Sequence, residues 1–263
     1  MTTPPDDGAA ARMRGNVFIR AGEARIERAW FRSITRWLDR TRPQVVTDEG
    51  LQPHNVAQNA PFWGELMDAE VVPEALGLFA RVRNRVTGRS DPVTDADTAA
   101  YLNEVGNRLR NVPNEVYARI VREVETGVAR GDSLPDTEAR IRALLTASGT
   151  DLWPSRARTV ARTETLAAVN GGAYTGAVRD AEERGDVAPM KVWLATEDTR
   201  TRPTHRDADA QRTLLTSPFE VGGAQLQFPG DPRGPAQEVI NCRCTFLPVT
   251  LGEVIDWTDR QDP

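Results

Sequence analysis

From Arg14 to Gly185 apolar residues recur at helical spacing, and beyond Gly185 that period is lost. Nothing else in the sequence constrains the fold as much. The first stretch asks for amphipathic helices packed on one another. The remainder, short and rich in turn residues, asks for a small unit of strands and loops. The expected class is α+β, a mostly helical N-terminal body carrying a small loop-rich α+β C-terminal domain.

Ile19, Ile26, Trp30, Ile34 and Trp37 follow one another at intervals of 7, 4, 4 and 3, which places them on one face of a helix from about Arg14 to Arg40. Pro43 is expected to stop this helix. The Trp30 and Trp37 stripe reads as core, or as a face that docks on a partner helix. Residues 1–13, with Pro4, Pro5, Asp6, Asp7 and Gly8, read as a flexible arm. The stretch from Pro43 to Pro61 reads as irregular and holds the isolated His54.

Helices resume over Phe62 to Glu70 and from Pro73 to Val86, with Arg81, Arg83, Arg85 and Arg89 as a basic helix end. That end reads as solvated, with a phosphate contact as the alternative. Thr94 and Asp97 resemble a capping box opening a helix to about Arg110. Pro113 opens another that ends at Gly131, and Ser133 with Pro135 a short one ending near Gly149. The longest runs from Pro154 to Arg184, with Gly185 just past its end and Gly171 and Gly172 expected to break or kink it.

Beyond it, Met190 to Ala195 alternates like a strand, and Glu238 to Ile240 and Arg243 to Val249 are candidates for extended backbone. Arg202-Pro203, Gly222-Gly223, Pro229-Gly230-Asp231-Pro232 and Gly234-Pro235 are the intervening turn signals. The domain reading is an arm over 1–13, a helical region over 14–135, and a domain over 136–263 in which a long helix precedes a small antiparallel sheet.

Charge and composition narrow the function. With 33 basic and 38 acidic residues the net charge is −5, against a dedicated nucleic-acid binder though not against a local basic patch. No apolar run approaches the roughly 18 residues of a membrane span. The N-terminus lacks a basic then apolar leader, so the expected site of synthesis is the cytoplasm. Lys191 is the only lysine among the basic residues.

The site-like chemistry gathers between Trp193 and Cys244, a segment with one of the two histidines and both cysteines. If residues 242–245 are extended, Cys242 and Cys244 share one face and Arg243 takes the other. The thiols with His205 and Asp198 then make a four-ligand set for a structural zinc, although one residue between cysteines is fewer than the usual two to four. A second reading is a Cys/His nucleophile pair oriented by Asn241 or Asp198. An HNH-like nuclease would need a second histidine nearby, and none is there. The remaining reading has the cysteines as small buried hydrophobes beside a polar network of Asp198 and the arginines, with no cofactor.

Taken in order, A-R-T-E-T on the long helix, Trp193, D-T-R-T-R-P-T-H, P-F followed by a glycine, F-P-G-D-P and E-V-I-N-C-R-C make a specific combination. This order resembles the phage Mu F-like head morphogenesis family of minor head proteins, over about residues 137–249. The resemblance implies a structural role in tailed-phage head assembly, inside the virion, with the portal protein or major capsid protein as partner and packaged DNA as a further contact. The family brings no established catalytic mechanism, so the chain is expected not to be an enzyme. The competing expectation is a Cys/His-dependent hydrolase associated with the head. The family's pattern usually has an aspartate-glycine pair after the histidine. Here Asp209 is followed by Ala210, which puts a tight positive-φ turn in question.

Overall fold

The stripe from Ile19 to Trp37 does form a helix, α1 (Asp7–Val45), in the computed structural model, which describes residues 7–196 and 198–249. The helix begins ahead of Arg14 and runs through Pro43 to Val45. Pro43 lies in the last turn, where a missing N–H forfeits a single ladder bond just before the chain leaves the helix. The stretch read as irregular is in fact ordered. β1 (Val46–Thr47) pairs antiparallel with β2 (Gly50–Leu51), and α2 (Asn55–Gln58) and α3 (Ala60–Leu66) follow. A π-helical turn over Met67–Val71 joins α3 to α4 (Val72–Thr87). Pro73 thereby falls just after the π-helical turn, inside a helical run continuing from α3, where the ladder already changes from π to α spacing.

α5 (Asp95–Arg110) and α6 (Val112–Arg130) come next, and Gly131 at φ 70° closes α6. α7 (Leu134–Leu144) is capped by Ser133, whose Oγ accepts from Asp136 N. α8 (Leu152–Arg184) is followed by Gly185 at φ 68°. No helix among the described residues is long and apolar enough to cross a membrane.

Contacts divide the chain into two units, Met1–Leu78 with Pro92–Ala168 and Phe79–Asp91 with Val169–Pro263, with boundaries inside α4 and α8. The first unit is built on tryptophan. Trp30, Trp37, Trp63 and Trp153 are all buried, and Trp63 meets Trp30 and Trp37 edge to face at 5.9 and 6.0 Å. Three of the indole N–H groups donate to backbone carbonyls at 2.8 Å: Trp37 to Asn59, Trp63 to Leu109 and Trp153 to Leu144. The Trp30/Trp37 stripe is therefore spent on the chain's own core. In A-R-T-E-T, buried Glu164 accepts a two-pronged bond from Arg108 of α5 at 3.0 and 2.9 Å.

In the second unit the end of α4 lies against the end of α8. α8 does not break at its paired glycines. They permit close packing instead: a Cβ on Gly172 would lie 2.5 Å from the Phe79 carbonyl oxygen, and one on Gly176 2.8 Å from Val86 Cβ. Of the four arginines there, Arg83 is buried and donates to the Asp91 carbonyl at 2.8 Å, and Arg89 pairs with Glu183 at 2.8 Å. Arg81 and Arg85 are exposed.

After α8 come β3 (Met190–Leu194), α9 (Pro203–Asp207), β4 (Arg212–Leu214), β5 (Phe219–Val221), β6 (Ala224–Leu226), α10 (Ala236–Val239) and β7 (Thr245–Val249). β3 is the middle of an antiparallel sheet in the order β4-β3-β7, and β5 and β6 form a hairpin over Gly222 and Gly223. Helices followed by small antiparallel sheets make the chain α+β. The strand expected at Glu238 to Ile240 is not there. Pro235, at φ −65° and ψ 145°, leads into the helical turn α10, and Glu238 lies on it.

Candidate functional site

β3 supplies the floor of the site. Trp193 is fully buried, and its backbone bonds both ways to the 208–211 turn: Trp193 N donates to Gln211 O and Ala210 N to Trp193 O, each at 3.0 Å. Ala210 has φ 61°, so the turn questioned at the alanine is made after all. An L-residue there costs roughly 1–2 kcal/mol. Asp209 helps hold the turn by accepting from Ala195 N at 2.8 Å.

α9 delivers the histidine. Arg202 is extended and Pro203 takes the first helical position, so a turn of helix starts and carries His205 inward. His205 is 1% exposed, and its ring meets Trp193 edge to face at 5.5 Å. The cysteines approach from the other side. Asn241 at φ 58° turns the chain out of α10, and Cys242 and Cys244 both enter the Trp193 cluster, while Arg243 points to Asp198.

Asn170 of α8 anchors this strand. Its amide donates to Pro229 O at 2.7 Å and Cys244 O at 3.0 Å, and its Oδ1 accepts from Thr245 Oγ1 at 3.0 Å. One buried side chain thus pins both F-P-G-D-P and N-C-R-C. In the first of these motifs Asp231, 1% exposed, accepts from Gln227 N at 2.8 Å and from Arg233.

His205, Cys242 and Cys244 are all buried, with donor atoms within 4.8 Å of one another. Nδ1 of His205 lies 3.3 Å from Cys244 Sγ and 3.8 Å from Cys242 Sγ. Its Nε2 lies 3.1 Å from Glu238 Oε2. That oxygen also accepts from Thr204 Oγ1 at 2.9 Å. Gly222, the glycine after P-F, is needed here, because a Cβ on it would fall 2.6 Å from Glu238 Oε1. A hydrogen bond from Cys242 pulls the Cys244 thiol down to about 5, helped by His205 and opposed by burial. The same bond and burial push the Cys242 thiol up.

Asp198, the fourth ligand expected from the sequence, is placed elsewhere. It takes both guanidinium arms of Arg243, one at 2.7 Å, and accepts from Arg200 N at 2.9 Å. The Arg243 hydrogen bonds hold its carboxyl well below the usual range. Arg202 donates to Ile240 O, and Thr196 Oγ1 to Arg243 O at 2.8 Å, so the 196–205 loop is tied to the cysteine strand at several points.

Two kinds of chemistry fit these positions. Two thiols and an imidazole are a metal-ligand set, with Glu238 behind the histidine. A thiol, an imidazole and a carboxylate in line are also a nucleophile relay. Burial separates the two. The open groove of about 520 Å³ is lined by Ala195, Thr196, Asp198, Thr199, Arg206 and Asp209, whereas His205, Cys244 and Glu238 are buried and are not part of its lining. Sequence reading missed Glu238 and Asn170. Asn170 carries no local signal, and Glu238 lies in a segment whose sequence suggests extended backbone although it forms a helical turn.

Residues 118–247 match the family model of Phage Mu protein F like protein. The chain is 28% identical over 201 residues to the minor head protein GP7 of Bacillus phage SPP1, covering 72% of this chain and 62% of that protein. It is 29% identical over 148 residues to the NAD(+)–arginine ADP-ribosyltransferase EFV of Enterococcus faecalis, covering 56% of this chain and 29% of the relative. It is 23% identical over 163 residues to the uncharacterized protein YqbB of Bacillus subtilis, 60% of this chain and half of that one. The chain thus spans less than two thirds of the length of each relative. No solved structure matches it.

Proposed function

We propose that this chain, a Phage Mu protein F-like protein by its residues 118–247, is a structural minor head protein of a tailed phage or a prophage-derived particle. It acts inside the head with the portal protein during assembly. The observation that carries the reading is the similarity to the SPP1 minor head protein, which covers 72% of this chain, more than the 118–247 family region. The site supports it, because its polar groups are consumed in tying loops together. Asn170, Asp198, Asp209 and Asp231 all hold backbone or arginine partners. Co-expression with the portal protein of the same particle tests the partner. The two proteins should co-purify, and separate elution at low and moderate salt would contradict the pairing.

A Cys/His-dependent hydrolase is the second reading, supported by the Cys244–His205–Glu238 alignment. It requires the buried thiol to reach a substrate. Cys244→Ala separates the readings: the structural role retains particle formation wherever the variant folds, whereas a nucleophile loses function in a folded chain.

A further inference from the structure

We propose that His205, Cys242 and Cys244 hold a zinc ion, with Glu238 as the carboxylate that orients the histidine from outside. This goes beyond the role in the head and does not depend on it. Three side chains with metal-binding atoms converge within 4.8 Å in the core, each at most 2% exposed. They arrive from separate places. His205 comes from α9, and the cysteines come from the strand entering β7.

The direction of the imidazole is the second observation. Nε2 faces the Glu238 carboxylate at 3.1 Å, which accepts only from an N–H. The neutral ring then has its lone pair on Nδ1, aimed at both sulfurs at 3.3 and 3.8 Å. A metal-bound histidine has this arrangement, its free N–H given to a carboxylate that fixes tautomer and ring angle. The carboxylate is itself fixed, by Thr204 and by the space Gly222 leaves. A carboxylate so constrained on the far side of the ring has no role in simple apolar packing of two thiols.

The donor set selects the metal. Thiolate sulfur and imidazole nitrogen suit zinc, and one residue between the cysteines puts both on one face. Asp198 stays outside, engaged with Arg243, so the protein supplies three ligands and water takes the fourth position. The region has reason to need the ion. Its strands are of three to five residues, and the 195–244 chain is mostly turns and short helices. A zinc joining α9 to the strand before β7 closes this segment from both ends.

The test is metal content and spectrum of the full chain, purified under reducing conditions and reconstituted with zinc chloride. A single zinc per chain is expected, lost in both Cys242→Ser and Cys244→Ser and retained in Asp198→Asn. Because a serine variant can fail to fold, the wild-type chain is also loaded with cobalt(II). Thiolate-to-cobalt charge-transfer bands and tetrahedral visible bands are expected, and zinc should displace them. Glu238→Gln should weaken zinc binding by about 10–100-fold without changing the stoichiometry. Chelation should lower the melting temperature. A chain that stays metal-free after reconstitution, gives no cobalt–thiolate bands and melts unchanged with chelator overturns the proposal.

Discussion

Single buried polar residues carry much of what organises the C-terminal unit. Lys191 is the clearest. Its ammonium is buried, donates to Gln227 O at 2.8 Å and Gln227 Oε1 at 3.1 Å, and lies over the rings of Tyr174 and Phe219 at 4.9 and 5.0 Å. Burial lowers its pKa from 10.5 to about 7, with Asp231 opposing and Arg233 assisting. The unfolded chain therefore holds a proton on Lys191 that the folded chain has released between about 7 and 10.5. Stability from this group rises with pH across that window, by at most about 1.4 kcal/mol per pH unit, and is least below it. Urea unfolding of the wild type and Lys191→Met from pH 6 to 10 checks this. The difference between them should shrink or reverse towards low pH, and parallel curves would refute the assignment. Composition showed Lys191 as the lone lysine but not its burial. Burial depends on β3 being the middle strand, which no local pattern reveals.

Helices were legible where period and punctuation agreed. α6 has Pro113 in its first turn and closes at Gly131, and α7 starts on Ser133, as their capping residues require. They were misread where tertiary contact overrides local preference. The sequence leads one to expect a break or kink at Gly172, yet it is the point where α8 meets the backbone of α4 in the second unit. Gly172→Ala should destabilise by about 1–3 kcal/mol, because the methyl meets the Phe79 carbonyl. Gly171→Ala meets only ring atoms at 3.4 Å or more, and helix propensity favours alanine by up to about 1 kcal/mol. It should be neutral or stabilising. Chemical denaturation of both variants decides, and an equal gain in both would mean that propensity alone acts and that the close approach at Gly172 costs nothing. Glu238 is the matching failure for strands. Its neighbours look extended, but Pro235 begins a turn of helix that aims its carboxylate at His205.

At the scale of the molecule, motif order was more informative than any motif alone. Trp193, His205, Asp231 and the two cysteines are far apart in sequence and lie in one small unit. Their order resembles the family whose model matches residues 118–247, while the site's geometry gives Asp198 to Arg243 rather than to the cysteines. The Trp30/Trp37 stripe, a candidate docking face in sequence, is interior to the first unit, so removing it would unfold that unit rather than test a partner. The proposed role makes the chain a built-in part of a phage head. Quantitative mass spectrometry of purified particles tests that directly. The chain should be present in DNA-containing heads at a constant ratio to portal protein and far below the major capsid protein. Its absence from purified heads that are otherwise complete would contradict the account.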